Sequence, residues 1–400
     1  MTPLTICFIS HSSGTGGAER VLLESIEALK QRGAECRVLL PERGELCLEL
    51  DKLGVPFAVV SFPLWMSRGR TGPLQWLKAA FGTLINTVPV AWRIHSWKCD
   101  LVYSNTVTVC AGAIAARLLR LPRLWHLHEF GMEDQGLSFL FGDRISYAIV
   151  DNFSERCVCV SQVLAQKYRK RIDPEKIVVI YPSMRRFLGD DANRDCNKSD
   201  YDNSANARNR GFRCVIAGAL MEGKGQEDGV RAMAHLTEAG VKAELLIVGE
   251  GVSSYKTRLE ALVASNGLEA QVTFVGKVKN AFPIMRSSDA VLVCSKSEAF
   301  GRVTVEGMLA RKPVIGARAG ATAELIKDGI TGLLYTPGDA RDLARQIQHL
   351  CDNPAVAETL AKAGQQWAEK CFTAERYGNE VMAALPGANR LLKSRIRRLV

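Results

Sequence analysis

Two glutamates separated by seven residues lie in a segment whose residue types could bind hydroxyl groups beside a phosphate. An apolar strand pattern precedes Glu298, and a helix that contains Glu306 is predicted to begin directly after Gly301. Unpaired N–H groups at the helix start, those of Val303 and Thr304, would attract an anion. A carboxylate that binds two hydroxyls contributes roughly 1.5–3 kcal/mol. The alternative is a solvated helix with two exposed glutamates.

A glycine-rich turn near the amino terminus is a second candidate ligand site. Gly16 and Gly17 follow the first predicted strand and open a predicted helix. Glycines at such a junction let a ligand approach the backbone. A dinucleotide fingerprint would need a third glycine where Glu19 stands, so a nicotinamide dehydrogenase is disfavoured, although Glu42 could imitate its ribose-binding acid. A structural turn without a ligand is the other alternative.

Short apolar runs alternate with helical patterns along most of the chain. In the first half, strands are predicted at residues 5–11, 35–41, 56–62, 100–106, 123–128, 156–161 and 176–181. In the second half, they are predicted at residues 213–219, 243–248, 271–275, 290–294, 313–317 and 332–335. Apolar strands separated by helices are typical of parallel sheets covered on both faces. The predicted fold class is therefore α/β, with two Rossmann-like domains.

A polar segment separates the two predicted sheets. It carries almost nothing apolar after Leu188, so it cannot bury a core and is predicted to be a linker or a surface insertion. Asp200 and Asp202 superficially form a DxD metal motif. Such a motif should stand at the end of a buried strand, but these residues lie in a polar tract. No metal site is therefore predicted. The predicted boundaries are 1–184, 185–211, 212–385 and a basic tail at 386–400.

Composition excludes several classes of protein. Of the 400 residues, 47% are hydrophobic and 24% are charged, which excludes a disordered chain and a multi-span membrane protein. Twelve cysteines at irregular spacing predict reduced thiols in a core rather than a disulfide framework. The amino terminus runs straight into a strand pattern, so no signal peptide is predicted, and no apolar stretch reaches the roughly 20 residues of a spanning helix.

The glutamate pair, flanked by Phe300 and Gly301, resembles the signature of the retaining family 4 glycosyltransferases of GT-B fold, also called glycosyl transferases group 1. Further blocks follow in the family's order: Gly16–Arg20, Gly218–Gly225, Val248–Gly251, Val272–Gly276, Asp289, Pro313–Ile315, Glu324 with Gly329 and Gly332, and Pro337–Asp339. The resemblance is dense from 213 to 350 and loose from 44 to 121. It implies two Rossmann-like domains that face a central cleft.

The resemblance also implies a nucleotide-diphosphate sugar as donor, with no cofactor and no metal. Glu306 would hold the ribose hydroxyls and Glu298 the hydroxyls of the donor sugar, while Lys224 would neutralise the diphosphate. His128 would face the sugar from the end of a strand, and it is favoured over His126 because it is nearer the rim. His128, Glu298 and Lys224 are the candidate catalytic residues. The candidate donor-binding residues are Gly16, Gly17, Gly218, Lys224, Gly249, Phe300, Gly301, Val303, Thr304 and Glu306.

Two positions depart from the family pattern. Ala219 stands where an arginine is common, which leaves Lys224 and either Arg302 or Arg318 to supply positive charge to the diphosphate. Arg311 stands where a glycine is usual, at a predicted helix end, and is expected to change only the cap.

The expected reaction moves the sugar to an acceptor hydroxyl with retention of anomeric configuration, by front-face displacement in which the leaving diphosphate helps deprotonate the acceptor. The expected setting is the synthesis of a surface polysaccharide or a lipid-linked glycan. The alternatives are a non-catalytic sugar-nucleotide or glycan-binding relative, and a GT-B-fold sugar-nucleotide epimerase or phosphorylase.

The net charge of +10 is concentrated in two segments. Residues 52–99 contain six basic and no acidic residues together with four of the six tryptophans, and residues 390–400 contain five basic residues. Tryptophan and basic residues beside apolar Phe62, Leu64 and Met66 form a mixture that favours a bilayer interface. The alternative is a helical insertion with internally packed tryptophans. We expect a cytoplasmic protein held on the inner face of the plasma membrane by anionic lipid, and no nucleic-acid partner.

Overall fold

The computed structural model describes residues 3–68, 73–184 and 211–387. The chain forms two compact units. One comprises the residues up to Ser183 together with those from Thr373 onward, and the other comprises Met184–Phe372. The polar segment up to residue 210, with its DxD sequence, and the basic tail from residue 388 lie outside the described residues.

The first unit is built on a parallel sheet covered by helices on both faces. Its strands are β1 (Thr5–Ser10), β2 (Glu35–Leu40), β3 (Phe57–Val59), β4 (Met66–Arg68), β5 (Leu101–Asn105), β6 (Arg123–Leu127), β7 (Leu137–Phe139), β8 (Arg156–Cys159) and β9 (Ile177–Val179). Its helices up to Ser183 are α1 (Gly17–Gln31), α2 (Glu45–Lys52), α3 (Pro73–Ser96), α4 (Ala111–Leu118), α5 (Met132–Gln135), α6 (Gly142–Asn152) and α7 (Gln162–Arg169). Seven parallel strands pair in the order β3-β2-β1-β5-β6-β8-β9.

Strand alternation gives this sheet two cores. On β1, Ile6 and Phe8 pack with α1 and α2 on one face, while Cys7 and Ile9 pack with α3 and α4 on the other. All six residues of β1 are buried, as expected for a central parallel strand.

The second unit repeats the scheme. Its strands are β10 (Phe212–Ala217), β11 (Ala243–Val248), β12 (Val272–Gly276), β13 (Ala290–Val293), β14 (Val314–Ala317) and β15 (Leu333–Tyr335). Its helices are α8 (Gln226–Glu238), α9 (Ser253–Ser265), α10 (Phe282–Ser287), α11 (Arg302–Leu309), α12 (Thr322–Leu325), α13 (Ala340–Asp352) and α14 (Pro354–Cys371). The parallel order β12-β11-β10-β13-β14-β15 confirms the prediction of two Rossmann-like sheets.

The last described helix, α15 (Ala374–Ala384), belongs to the first unit, which differs from the boundary expected at residue 385. Its Tyr377 is fully buried and its hydroxyl lies 2.6 Å from Ser25 Oγ on α1. Val381 packs in the same core. The helix therefore completes the α1 face of the first sheet.

A short antiparallel pair, β4 with β7, has no counterpart among the predicted strands. Trp65 precedes β4 and is fully buried. Its ring is stacked on that of Trp125 at 6.0 Å and meets that of Phe139 edge-to-face at 5.3 Å. Phe62 and Met66 are also buried, so the expectation that these side chains lie at a bilayer is wrong. Burying their rings and chains against the core is more favourable than leaving them exposed.

Among the described helices, none combines the length and apolar character needed to cross a bilayer. The described cysteines are free thiols, and most of them are buried in the two cores.

Candidate functional site

The loop between β13 and α11 carries the predicted glutamate pair. Gly301 precedes the helix with φ +81°, a left-handed conformation that favours glycine, and α11 begins at Arg302 as predicted. Phe300, just before it, is buried with its ring 5.8 Å from that of Phe372. The turn therefore fixes where the helix start and the preceding loop lie.

Glu298 is bound to the predicted diphosphate cation. Lys224 Nζ donates to Glu298 Oε1 at 2.7 Å, although the two residues are far apart in sequence. The side chains retain 26% and 16% exposure respectively, so both groups remain accessible. This contact brings together two of the predicted catalytic residues.

The turn that carries Lys224 is fastened to the end of β13. Gly225 has φ +65°, and a Cβ there would lie 2.2 Å from the Cys294 carbonyl oxygen, so only glycine fits. The Lys296 N–H also donates to the Gly223 carbonyl at 3.0 Å. The position of the lysine is therefore set by backbone contacts rather than by its own flexible side chain.

Glu306 lies in the second turn of α11 and is 7% exposed. Its Oε1 is 3.8 Å from Arg302 Nε, an ion pair beyond hydrogen-bond distance that places a second cation beside the carboxylate.

The structure differs from the sequence prediction at Thr304. Its N–H donates to the Gly301 carbonyl at 3.0 Å, so this amide is already paired. The bond spans three residues, as is common in a tightened first helical turn. Thr304 is therefore no longer one of the predicted helix-start donors, Val303 stays a prediction, and the Thr304 side chain is fully buried.

Gly218 and Gly249 follow β10 and β11, at the carboxyl ends of two neighbouring strands. Both have φ in the left-handed range, +148° and +135°, and a Cβ on Gly249 would lie 2.0 Å from the Gly218 carbonyl oxygen. Ligands of open parallel sheets bind at this end of the strands. The two glycines thus keep the backbone free of side chains where a ligand would approach.

Ala219, the departure from the family pattern, is exposed, and its carbonyl accepts a hydrogen bond from Gln226 Nε2 at 2.9 Å. A longer side chain at this position has room. We predict that Ala219→Arg lowers the donor KM about fivefold, the equivalent of roughly 1 kcal/mol for an exposed ion pair. Steady-state kinetics measure this, with Ala219→Gln as an uncharged control. An unchanged or higher KM in the arginine variant would show that the position does not face the diphosphate.

In the first unit, Gly16 and Gly17 stand at the start of α1 as predicted. The side chain of Glu19 lies over the turn, and a Cβ on Gly16 would be 2.7 Å from its Oε2. Glu19 is 3% exposed and its Oε1 lies 3.4 Å from His11 Nδ1. A carboxylate therefore already occupies the positive end of this helix, and an anionic ligand would have to share it.

The two candidate histidines have different environments. His126 is fully buried, its Nδ1 lies 2.7 Å from the Tyr103 hydroxyl, and burial lowers its pKa to about 3. His128 is half-buried, and its ring centroid is 4.1 Å from that of His126. A ring held neutral in the core is a packing residue, so the geometry favours His128 as the functional residue.

Asn105, which the sequence analysis did not single out, fixes the orientation of His128. Its Nδ2 donates to the Ala18 carbonyl at 3.0 Å, so its Oδ1 is the acceptor for His128 Nε2 at 2.9 Å. His128 therefore carries a proton on Nε2, and in the neutral ring Nδ1 carries the lone pair. The signal available in the sequence was a polar residue at the end of a buried strand.

Glu129 is a second residue that the sequence analysis did not single out. Burial, reinforced by the charge of Asp134, raises its pKa to about 8, although backbone N–H groups of Val107 and His128 act in the opposite direction. Its carboxyl group is therefore mostly protonated at neutral pH, next to the predicted histidine. Within the described ranges, no cluster of His, Cys, Asp and Glu could hold a metal ion.

Comparisons with known proteins agree with this fold. The family model "Glycosyltransferase Family 4" matches residues 15–184, and "Glycosyl transferases group 1" matches residues 197–367. HepE of Anabaena, solved with UDP-glucose, is 25% identical with a TM-score of 0.77, over 95% of this chain and 98% of that chain. The two parallel-sheet units and these matches thus define a glycosyltransferase of GT-B fold. The chain belongs to glycosyltransferase family 4.

Two curated relatives cover most of this chain. An uncharacterized glycosyltransferase of Methanocaldococcus jannaschii is 27% identical over 72% of this chain and 76% of its own. The lipopolysaccharide core biosynthesis glycosyltransferase LpsD of Rhizobium meliloti is 26% identical over 91% of this chain and 94% of its own.

Proposed function

We propose that this enzyme transfers a sugar from a nucleotide-diphosphate sugar to an acceptor hydroxyl with retention of anomeric configuration. The observation that carries the proposal is the contact between Lys224 and Glu298. In such a donor the sugar hydroxyls lie next to the anionic diphosphate. An ammonium beside a carboxylate matches this arrangement, because the ammonium can bind the diphosphate while the carboxylate accepts hydrogen bonds from the hydroxyls. The UDP-glucose complex of the similar HepE supports a donor of this class.

Each group has a role that follows from its chemistry. Lys224 and the helix-start amide of Val303 stabilise charge on the diphosphate as it leaves, and Glu298 accepts hydrogen bonds from sugar hydroxyls. Glu306 accepts hydrogen bonds from the ribose, and the backbone of Phe300 and Gly301 lines the sugar and the diphosphate. Both glutamates bind hydroxyls, so neither serves as a covalent nucleophile. The leaving diphosphate itself takes the acceptor proton on the same face.

The first unit contributes further groups to the proposal. His128 is the residue of this unit proposed to recognise the donor sugar, and the turn at Gly16 and Gly17 is its proposed donor-binding turn. No cofactor and no metal take part in this scheme.

The proposed setting is the assembly of a surface polysaccharide or a lipid-linked glycan on the cytoplasmic side of the plasma membrane. The lipopolysaccharide core relative supports an acceptor of the glycan class. Contact with anionic lipid is supported by residues 52–99, which include six basic and no acidic residues, and by the five basic residues of 390–400.

A donor screen tests the proposal. Uridine, guanosine and adenosine diphosphate sugars are offered to the full chain, and the melting temperature and the released nucleoside diphosphate are measured. Enzymatic transfer requires release in the presence of acceptor, and the anomeric proton coupling of the product by NMR reports retention. A rise in melting temperature without release would favour the non-catalytic alternative that Ala219 suggests, and an inverted anomer would contradict retention.

Replacing the second glutamate tests the ribose contact. We predict that Glu306→Gln raises the donor KM by about 10- to 150-fold, the equivalent of roughly 1.5–3 kcal/mol for a lost charge-assisted contact. Near-normal kinetics in this variant would remove Glu306 from the site. Glu269→Gln is the matched control, since Glu269 is exposed in the turn before β12 and is not one of the candidate residues.

A further inference from the structure

Helix α3 has a buried inner face and an apolar outer face. Its inner face packs into the first unit, where Thr83, Thr87, Val90 and Ile94 are each 5% exposed or less. Its outer face carries six large apolar side chains at helical spacing: Leu77 (57% exposed), Phe81 (68%), Leu84 (64%), Ile85 (53%), Val88 (66%) and Trp92 (62%). The stripe runs about 22 Å along the helix at 1.5 Å per residue.

A surface helix of a soluble domain normally places polar residues on its outer face. Isolated exposed apolar residues are common, but a continuous stripe marks a surface that binds something apolar. Six side chains in one register form such a stripe, and no part of the chain that the structure describes covers them.

The charges around the stripe identify what covers it. The sequence of α3 contains no acidic residue, and Lys78 is exposed between Leu77 and Phe81. At the other end, the Arg93 guanidinium lies 5.1 Å from the Trp92 ring centroid and 5.6 Å from that of Trp97. Aromatic rings with cationic groups at the rim of an apolar stripe are the composition of helices that lie in a membrane interface.

We propose that the outer face of α3 inserts into the interface of a bilayer that contains anionic lipid. The helix axis would lie parallel to the membrane plane, with Phe81, Ile85 and Val88 among the acyl chains and with Lys78 and Arg93 at the phosphates. A second copy of the chain fits less well, because face-to-face pairing would bring the basic residues of both copies together. A protein with an apolar groove could bind such a helix without lipid, but the basic residues at both ends of the stripe complement anionic headgroups.

The proposed function includes only a general contact with the membrane. The insertion proposed for α3 goes beyond it by naming the element that inserts and by assigning Trp92 to it, whereas Trp65 belongs to the core. It rests on the proposed function only for the location of the acceptor. Vesicle binding is measured without donor or acceptor, so a failure of transfer and a failure of insertion are separate results.

Cosedimentation with vesicles tests the proposal. The full chain is mixed with vesicles of phosphatidylcholine containing about 30% phosphatidylglycerol, or of phosphatidylcholine alone. We expect binding to the anionic vesicles, and at least a tenfold weaker partition for Phe81→Asp and for Val88→Asp. Both side chains are exposed, so thermal melts should show that both variants fold.

Leu48→Asp is the matched control. Leu48 is 63% exposed on α2, which covers the opposite face of the sheet, and we expect this variant to bind as the wild type does. Quenching of tryptophan fluorescence by brominated acyl chains should fall in Trp92→Phe if the stripe inserts. Equal binding by Phe81→Asp and the wild type would overturn the proposal, since the basic tail would then suffice. The proposal would also be overturned if the wild type forms a dimer that does not bind vesicles and that Phe81→Asp converts to monomers. That result would show that a second copy covers the stripe.

Discussion

Lys224→Met is expected to lower kcat by about 100- to 1,000-fold, the range found when one pre-positioned group that stabilises transition-state charge is removed. Negative charge grows on the diphosphate as the bond to the sugar breaks. The Gly225 turn and the contact with Glu298 hold the ammonium in place. If the diphosphate binds beside it as proposed, the ammonium needs no rearrangement when the charge develops. Single-turnover rates with saturating donor would measure the effect on the chemical step.

The contact with Glu298 makes a second explanation possible, since the lysine could act only by orienting that carboxylate. A double-mutant cycle separates the two roles. If Lys224 stabilises the diphosphate, Lys224→Met combined with Glu298→Gln is slower than Glu298→Gln alone, and Lys224→Arg recovers part of the rate. If the double variant and Glu298→Gln have the same rate, the lysine only positions the glutamate. A kcat within threefold of the wild type would contradict both roles.

The strands of both parallel sheets could be predicted because buried parallel strands are continuous apolar runs, as in the six buried residues of β1. The pair of β4 with β7 could not, because a serine stands in the middle of both Met66–Arg68 and Leu137–Phe139, so neither is a continuous apolar run. Helix α15 has a clear apolar face, but a sequence does not say which sheet that face covers. Only the burial of Tyr377 against α1 settles that.

The local part of the site was predictable and the non-local part was less so. Gly301 before a helical pattern indicated where α11 starts, and the structure agrees. The contact of Lys224 with Glu298 joins residues that only the family resemblance brought together. The sequence predicted that the Thr304 N–H is a free donor, but in the structure it donates to the Gly301 carbonyl. This bond could not be predicted because it depends on the tightness of the first turn rather than on residue type.

The tryptophans of residues 52–99 show the same limit. Composition alone predicted that both Trp65 and Trp92 lie at a bilayer interface. In the structure Trp65 is fully buried, whereas Trp92 is 62% exposed. Tryptophan is favourable in both places, since its ring gains from burial and also suits an interface. Helical register separates the cases, because Trp92 continues the outer stripe of α3 whereas Trp65 lies outside any helix.

Asn105 is expected to be a positioning residue for His128. Asn105→Ala removes the acceptor that holds the Nε2 proton and frees the ring to rotate or change tautomer. A small misplacement of a group at a reacting centre can cost about 100-fold. We therefore expect kcat to fall by about 10- to 100-fold with little change in the donor KM, because the residues proposed to bind the diphosphate and the ribose lie in the second unit and are unaltered.

Asn105→Asp distinguishes positioning from general support of the fold. The carboxylate still accepts from His128 Nε2, and an opposite charge at that distance favours the protonated ring. The apparent pKa of the pH–rate profile should therefore rise by about one unit or more, whereas Asn105→Ala should lower the rate at every pH. Melting temperatures control for the lost bond to the Ala18 carbonyl, which both variants share. If both variants lose the same activity and leave the pH profile unmoved, Asn105 only supports the strand end, and His128 does not act through its ring.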